Sequence, residues 1–348
     1  MPPCVSAHVG DQFNDKNKHL LDRVYSYFYF SINFGAFFST LLTPWLLIKY
    51  GAALAFGIPG VLMAIATFVF WLGRKHYVHV PPTGKDGAAG FMPIALYSLR
   101  NIGKKKAGQE LFDVAKGKFT TEEVEASKAA LSIFKVFAAV TVFWALFDQT
   151  GSSWTLQAEK MDLNFFGIQM IASQVQAANP IMVMALIPVF TFGLYPLVEK
   201  LGYKVTPLRK MSVGMLMAGL SFVMVGMIER GLEAGIKVNI GWQVLAYLVL
   251  TCSEVMVSIT GLEFAYTQAP RSMKSTIMSF WLLTVAFGNM LAGTIAQFNV
   301  FAGQGSKEFF FYAGLMMVTS VIFVWAASRY KVRSFIENLR PGAIPESV

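Results

Sequence analysis

The sequence has 348 residues, of which 55% are hydrophobic and only 14% are charged, and its formal net charge is +9. Ordinary soluble domains carry about 25% charged residues, so this composition excludes a disordered chain and a nucleic-acid-binding module and disfavours a cytosolic enzyme. Two cysteines, Cys4 and Cys252, are too few for a disulfide framework or a cysteine-rich metal site. The composition therefore indicates an integral membrane protein.

Eight apolar segments are long enough to cross a bilayer as helices, for which about 20 residues suffice. In chain order these segments cover residues 24–48, 51–73, 136–157, 163–198, 211–228, 241–266, 275–298 and 309–328. The fourth segment is too long for one span, and we expect its first part, which is rich in Gln and Ser, to climb from the membrane interface. Strands of a barrel are about 10 residues long and alternate in polarity, which these segments do not. The sequence thus predicts an all-α integral membrane protein with about eight transmembrane helices.

Basic residues are unevenly distributed between the two sides of these spans. Of the 29 Lys and Arg residues, 23 fall on the side that holds both termini and five on the opposite side. Under the positive-inside rule this asymmetry predicts a multi-pass protein of the cell membrane with both termini in the cytoplasm. The net positive charge then reflects topology and contact with anionic lipid, and neither a nucleic-acid partner nor an obligate protein partner is expected.

The longest hydrophilic stretch, residues 76–132, separates two spans from six. It contains Pro81-Pro82 and the run Lys104-Lys105-Lys106, and it is predicted to be a basic cytoplasmic linker. Two explanations of residues 91–102 stay open: a short helix at the membrane interface, or an ordinary part of the linker.

Two carboxylates fall deep within apolar spans, where a charge costs at least about 2.5–3.5 kcal/mol. Asp148 lies 13 residues beyond Lys135, and Glu254 lies near the middle of its span. Each could bind a ligand or a proton, or could simply stay protonated and hydrogen-bond a neighbouring helix. Tyr247 precedes Glu254 by seven residues and shares its helix face, so the two could line one cavity. Glu263 is predicted to point to the opposite side.

Neutral polar and aromatic groups also occur in the spans. Asn33 and Asn179 could bind a polar ligand or only join helices, and Trp281 could belong to the interfacial aromatic belt. His76 and His79 lie in a loop without nearby carboxylate or thiol ligands, so no metal site is expected. No nucleophile with a base and no phosphate-binding loop is visible, which argues against an enzyme.

Several long motifs resemble the signature of the proton-dependent oligopeptide transporter (POT/PTR) family of the major facilitator superfamily. They are Gly10-Asp11-Gln12-Phe13, Phe28 to Gly35, Phe143 to Gln149 with Gly151-Ser152-Ser153-Trp154, Ser253-Glu254-Val255 with Gly261-Leu262-Glu263-Phe264, Gln268-Ala269-Pro270, Met273-Lys274-Ser275 and Trp281-Leu282-Leu283-Thr284. They occur in the order and spacing of the family, and the resemblance covers residues 3–330, most weakly in the linker.

The resemblance implies a helix bundle of the major facilitator type, with two six-helix halves around a central cavity. It also implies proton-driven import of di- and tripeptides by alternating access, with the proton gradient as the energy source and no cofactor. Matched by motif, Glu254 would receive the amino terminus of the peptide and Asp148 would couple transport to protons. Asn33 and Asn179 would hold peptide backbone groups, and Tyr247 and Trp281 would bound side-chain pockets.

The match begins at the fifth helix of the family, so the eight spans are expected to correspond to family helices five to twelve of twelve. Residues 1–75 would then be the last two helices of an incomplete N-terminal bundle, and residues 133–348 the C-terminal six-helix bundle. The chain is accordingly interpreted as an N-terminally truncated symporter that lacks the cationic residues expected to hold the peptide carboxylate. Two alternatives stay open: the same fold carrying another small solute such as nitrate, and a non-transporting membrane fragment or scaffold.

Overall fold

A computed structural model describes residues 5, 8–10, 12–13, 17, 20–78, 90–106, 108–298, 301 and 305–330. Eight helical segments of this part are long and apolar enough to cross a membrane, which confirms the prediction of an all-α membrane protein with eight spans. His79, Pro81-Pro82 and the C-terminal basic residues after Tyr330 lie outside the described residues.

The helices are numbered here in chain order. They are α1 (Leu21–Tyr50), α2 (Ala52–Gly73), α3 (Phe91–Arg100), α4 (Thr121–Ala138), α5 (Val140–Phe147), α6 (Ser153–Ala158), α7 (Ala178–Pro188), α8 (Tyr195–Lys200), α9 (Pro207–Glu233), α10 (Gly241–Glu254), α11 (Thr260–Gln268), α12 (Lys274–Gln297) and α13 (Gly305–Arg329). Short 3-10 turns cover Ile102–Lys104, Leu111–Gly117, Asp148–Gly151, Ala172–Ala177 and Arg271–Met273, and π-helical turns cover Val189–Leu194 and Val255–Ile259.

Three of the eight membrane spans are built from more than one helix. Helices α4, α5 and α6 follow one another over residues 121–158, α7 and α8 are joined by a π-helical turn after Pro188, and α10 and α11 are joined by another after Glu254. The fourth predicted segment does not climb continuously from the interface. Its first residues form strands β1 (Asn164–Phe165) and β2 (Ile168–Gln169), an antiparallel hairpin whose tip has positive φ at Phe166 and Gly167.

The largest hydrophobic core lies in the second part of the chain, where α9 packs along α10 and α13, and α12 packs along α5. Close approach of these helices depends on glycine. A Cβ at Gly288 on α12 would lie 2.6 Å from the carbonyl oxygen of Thr141, and one at Gly214 on α9 would lie 2.8 Å from a methyl of Val257. Small residues allow helix backbones to approach in this way inside membranes, where close packing replaces the hydrophobic effect as the driving force.

The first two helices are much less covered by protein. Helix α1 packs on α2 and α7, whereas α2 contacts chiefly α1, and Ala55 is its buried residue. The side chains that α2 exposes are almost all apolar, which suits a helix surrounded by lipid rather than water.

The linker region contains folded structure. Helix α3 and the turn Leu111–Gly117 pack on the beginning of α4 around a small core that includes Ile94, Phe112 and Val124. Helix α4 already begins at Thr121, inside the predicted linker, because Thr120 and Glu123 form a reciprocal capping box. Residues 91–102 therefore include a short helix with one face packed against protein.

Candidate functional site

Two of the interrupted spans are interrupted at the carboxylates that the sequence singles out. Asp148 directly follows α5 and begins the 3-10 turn Asp148–Gly151, and Glu254 is the last residue of α10 before the π-helical turn Val255–Ile259. Local π-helical turns are frequent at functional sites, and discontinuous helices inside membranes commonly surround binding sites. The helix interruptions therefore fall at the two positions where the sequence has a carboxylate deep within an apolar span.

The carboxylate of Glu254 is buried and accepts hydrogen bonds from two other helices. The hydroxyl of Tyr29 on α1 donates to Oε1 at 2.5 Å, and Nδ2 of Asn179 on α7 donates to Oε2 at 2.8 Å. Each oxygen therefore has one neutral donor. Because these donors come from α1 and α7, Glu254 lies at the junction between the first two helices and the larger bundle.

Glu254 has no cationic partner within the described part of the chain, where the ion pairs found involve other carboxylates. Two neutral hydrogen bonds do not compensate the charge of a carboxylate that is 4% exposed. Coulomb attraction is strong where the effective dielectric constant is low. The site can therefore take a proton or a positively charged group from a ligand.

Of the two asparagines predicted at the site, Asn179 hydrogen-bonds Glu254 directly. Asn33 bonds to the backbone of Tyr29, whose hydroxyl in turn bonds Glu254. Asn179 also donates to Oγ1 of Thr251 at 3.1 Å, so its amide lies between two side chains of α10. Asn33 is 7% exposed and donates through Nδ2 to the carbonyl of Tyr29 at 2.9 Å. Asn33 thus lies on the helix turn that carries Tyr29.

Asp148 is half-buried, and its carboxyl group lies near Asn289 of α12. Its charge is close enough to Glu254 to interact with it electrostatically. The structure therefore brings the two carboxylates into one electrostatic environment, although they belong to different spans.

Tyr247 and Trp281 lie in the core of the bundle. The hydroxyl of Tyr247 donates to the carbonyl of Thr150 at 3.1 Å, and its ring packs edge-on against Trp154. Trp281 is 2% exposed and packs against Phe137 with ring centroids 4.9 Å apart. The cavity that the two residues are predicted to share stays a prediction, and no side-chain contact joins Tyr247 to Glu254 among the contacts of the described residues.

The reason is distance along the helix axis. Seven residues share a face but are separated by about 10.5 Å, two helical turns, so Tyr247 meets the aromatic layer of α6 rather than the layer of Glu254. Assignment of Tyr247 and Trp281 to substrate binding stays a prediction.

Three residues of this site were not selected from the sequence: Tyr29, Thr251 and Asn289. Tyr29 precedes Asn33 by four residues and so shares its helix face, which is a usable signal. Asn289 is an amide within an apolar span, as are Asn33 and Asn179, and the same criterion would have selected it. Thr251 is inconspicuous, because threonine in a membrane helix commonly bonds to its own backbone, as Thr251 also does to Tyr247.

Metal binding finds no support in the described residues, where no group of three or more His, Cys, Asp or Glu side chains could hold an ion. His76 is described and His79 is not, so the His76–His79 pair cannot be assessed as a unit.

These observations define a multi-pass membrane protein with interrupted helices around a buried, unpaired carboxylate. The family model described as "POT family" matches residues 2–307, and the chain belongs to this family. The family is one of transporters rather than enzymes, which agrees with the resemblance seen in the motifs.

Similar proteins share both sequence and fold. Human solute carrier family 15 member 2 is 39% identical over 276 residues, which are 75% of this chain and 37% of that protein. Peptide transporter 3 of Caenorhabditis elegans is 35% identical over 238 residues, 65% of this chain and 34% of that protein. The crystal structure of the POT family transporter PepTSo superimposes with a TM-score of 0.74 at 39% identity, covering 94% of this chain and 75% of the other. The matched region thus spans a little over a third of the length of each of these two curated relatives.

Proposed function

We propose that the protein acts in proton-coupled symport of di- and tripeptides across the cell membrane, by alternating access. Family membership supports transport, and the name of the C. elegans relative supports peptides as the substrate class. In this proposal the substrates are short peptides and protons, the proton gradient supplies the energy, no cofactor takes part, and both termini lie in the cytoplasm.

The observation that carries the proposal is the uncompensated carboxylate of Glu254. A free peptide has an ammonium group at its amino terminus, which can donate to both oxygens of Glu254 and supply the missing positive charge. Charge-assisted hydrogen bonds of this kind are roughly twice as strong as neutral ones. Nitrate, the alternative substrate, is an anion and would be repelled by the same group.

We assign the remaining predicted residues by their positions around Glu254. Asn33 and Asn179 would hydrogen-bond peptide amide and carbonyl groups, because an asparagine side chain offers both donors and an acceptor. Asp148 would take up the transported proton, and its charge state would alter the field at Glu254. Tyr247 and Trp281 would contribute to side-chain pockets only in a conformation in which the core around them opens.

Coupling follows from this arrangement. With Asp148 ionised, its negative charge opposes a second ionised carboxylate nearby, and protonation of Asp148 removes this repulsion. Binding of proton and peptide together would then bias the equilibrium between outward-open and inward-open states, because a ligand shifts a conformational equilibrium by its differential affinity for the two states.

The test is uptake of a labelled dipeptide into liposomes that contain the purified protein, with an inward proton gradient. We expect uptake that requires the gradient, that unlabelled dipeptide competes away and that nitrate does not. Glu254→Gln should abolish it, whereas the same change at the exposed Glu122 should not. Competition by nitrate with the potency of the dipeptide would favour the alternative solute, and absence of both binding and uptake in the unaltered protein would favour a non-transporting fragment or scaffold.

A further inference from the structure

A cavity that Glu254 itself does not line lies where α8 meets the beginning of α9 and the end of α13. Its volume is about 550 Å³, within the ~300–1,000 Å³ of pockets that bind small molecules. Its lining includes the basic residues Lys204, Arg209 and Lys210 and the apolar residues Leu194, Val213 and Val324.

Three cations belong to this lining, and two of them have side-chain contacts that fix their position. Arg209 donates through Nη1 to the carbonyl of Lys204 at 3.0 Å, and the ammonium group of Lys210 lies 4.4 Å from the centre of the Tyr195 ring. The described lining contains Lys204, Arg209 and Lys210 but no carboxylate. The cavity is therefore electropositive and selects for a negatively charged ligand.

Most of the remaining lining is apolar, and part of it belongs to candidate membrane spans. Leu194, Val213 and Val324 each belong to a candidate membrane span and expose between 39% and 51% of their surface. Val213 lies one helical turn beyond Arg209, so the apolar wall begins where the basic one ends. A ligand that fits both walls has an anionic head and an apolar tail.

We propose that this cavity binds one anionic phospholipid, with its phosphate held by Lys204, Arg209 and Lys210 and one acyl chain lying against Leu194, Val213 and Val324. Basic pockets between membrane helices are suited to anionic lipid head groups. A free phosphate would match the cations but would leave the apolar wall uncovered, which favours the lipid.

Met256 connects this cavity to the site at Glu254. It lines the cavity and belongs to the π-helical turn Val255–Ile259 that follows Glu254. A bound acyl chain would therefore pack against the turn that orients the carboxylate.

The experiment measures lipid binding to the purified protein by native mass spectrometry, with titrations of phosphatidylglycerol and of phosphatidylcholine. The main variant replaces Lys204, Arg209 and Lys210 by Gln. Its matched control replaces Lys104, Lys105 and Lys106 by Gln, which removes the same charge from exposed positions that line none of the cavities described. A second variant, Val213→Trp, fills the apolar wall and leaves all cations in place.

We expect phosphatidylglycerol to bind more tightly than phosphatidylcholine, with a loss of about fivefold for each cation removed, or about a hundredfold in the triple variant. The linker control should stay within about twofold of the original affinity on the same scale. Val213→Trp should also weaken binding, although no charge changes.

Equal loss in both triple variants, equal affinity for the two lipids, or no effect of Val213→Trp would each overturn the proposal. Displacement of the lipid by a large excess of inorganic phosphate would assign the cavity to free phosphate instead. If size-exclusion chromatography shows that the triple variant does not fold, the single variant Arg209→Gln tests the proposal instead. Its affinity for phosphatidylglycerol should fall about fivefold.

Discussion

Two buried glutamates on neighbouring helices have opposite surroundings. Glu229 on α9 is 3% exposed, and it accepts hydrogen bonds from Nζ of Lys160 at 2.9 Å and from Nε2 of Gln157 at 2.8 Å. Glu254, at the end of α10, is 4% exposed, and its donors in the described part of the chain are two neutral groups. Among the residues that the structure describes, the first carboxylate has a counter-charge and the second has none.

This difference separates a carboxylate that stabilises the fold from one that can bind a ligand. Glu229 also belongs to a larger hydrogen-bond network. Its donor Gln157 accepts a hydrogen bond from Gln243, which also donates to the carbonyl of Trp154. Burial alone therefore does not identify a functional carboxylate. The identity of its partners does, because an unpaired buried charge costs free energy that a cationic ligand recovers.

Glu254→Gln should have the largest effect on peptide binding. It removes the negative charge but keeps the shape and hydrogen-bonding capacity of the side chain. Loss of one partner of a desolvated charge pair costs about 2–5 kcal/mol, so dipeptide affinity should fall at least about thirtyfold. Isothermal titration calorimetry on the purified protein measures this, and circular dichroism should show an unchanged helix content.

Asp148→Asn should uncouple transport from the proton gradient. The variant cannot take up a proton, yet its neutral amide resembles the protonated carboxyl group. Gradient-driven accumulation should disappear, whereas exchange of labelled for unlabelled dipeptide at equal pH should persist. Full retention of gradient-driven uptake would contradict the role assigned to Asp148.

Glu229→Gln should show the reverse pattern of Glu254→Gln. It breaks the ion pair with Lys160 and should lower the free energy of unfolding by about 1–3 kcal/mol, which a thermal melt detects. Dipeptide affinity should stay nearly unchanged. A loss of affinity equal to that of Glu254→Gln would remove the distinction between the two carboxylates.

Tyr29→Phe should have a smaller effect than either glutamate substitution. It deletes one neutral donor to Glu254, and a net hydrogen bond contributes about 0.5–1.5 kcal/mol, so dipeptide affinity should change no more than about tenfold. Tyr27→Phe is the matched control, because Tyr27 lies on the same helix and is 59% exposed. Equal effects of the two substitutions would indicate a general influence of α1 instead.

Asp113→Asn should have the smallest effect, confined to the linker region. Lys116 and Lys128 hold the pKa of Asp113 well below its usual range. A carboxyl group whose pKa is lowered by folding stabilises the fold above its unfolded pKa of about 3.9, and this contribution is lost as the pH falls below that value. The substitution should cost at most about 1 kcal/mol near neutral pH and should remove this pH dependence.

Hydrogen exchange of residues 111–128, corrected for intrinsic rates, detects the change locally. The α9–α10 core serves as the internal reference and should not respond. Retention of the acid-induced loss of protection in Asp113→Asn would show that another group causes it.

Much of the fold could be predicted because lipid imposes simple rules. Segment length and the scarcity of charged residues were sufficient to find all eight spans. They also identify α2, although that helix has few protein contacts. The interruptions were not predictable in this way, since apolar sequences such as Val255–Ile259 are compatible with both α- and π-helical turns. The capping box at Thr120 and Glu123 was a readable signal for the early start of α4.

The candidate site was only partly accessible from the sequence. Glu254 and Asp148 could be selected because charges are rare in apolar spans. Asn33 and Asn179 could be selected because polar amides are also uncommon there. The donor Tyr29 is 225 positions from Glu254, and only tertiary packing brings them together. Periodicity predicts that Tyr247 shares a helix face with Glu254 but does not specify which layer of the bundle the Tyr247 ring contacts.

The central claim is that Glu254 recognises the amino terminus of a peptide, and one binding experiment tests it most directly. Calorimetry would compare a free dipeptide with its N-acetylated form, in the unaltered protein and in Glu254→Gln. Acetylation removes the positive charge, so the unaltered protein should prefer the free dipeptide by at least about thirtyfold and the variant should bind the two forms equally. The account would be contradicted if the unaltered protein bound both forms equally, or if Glu254→Gln kept the full preference.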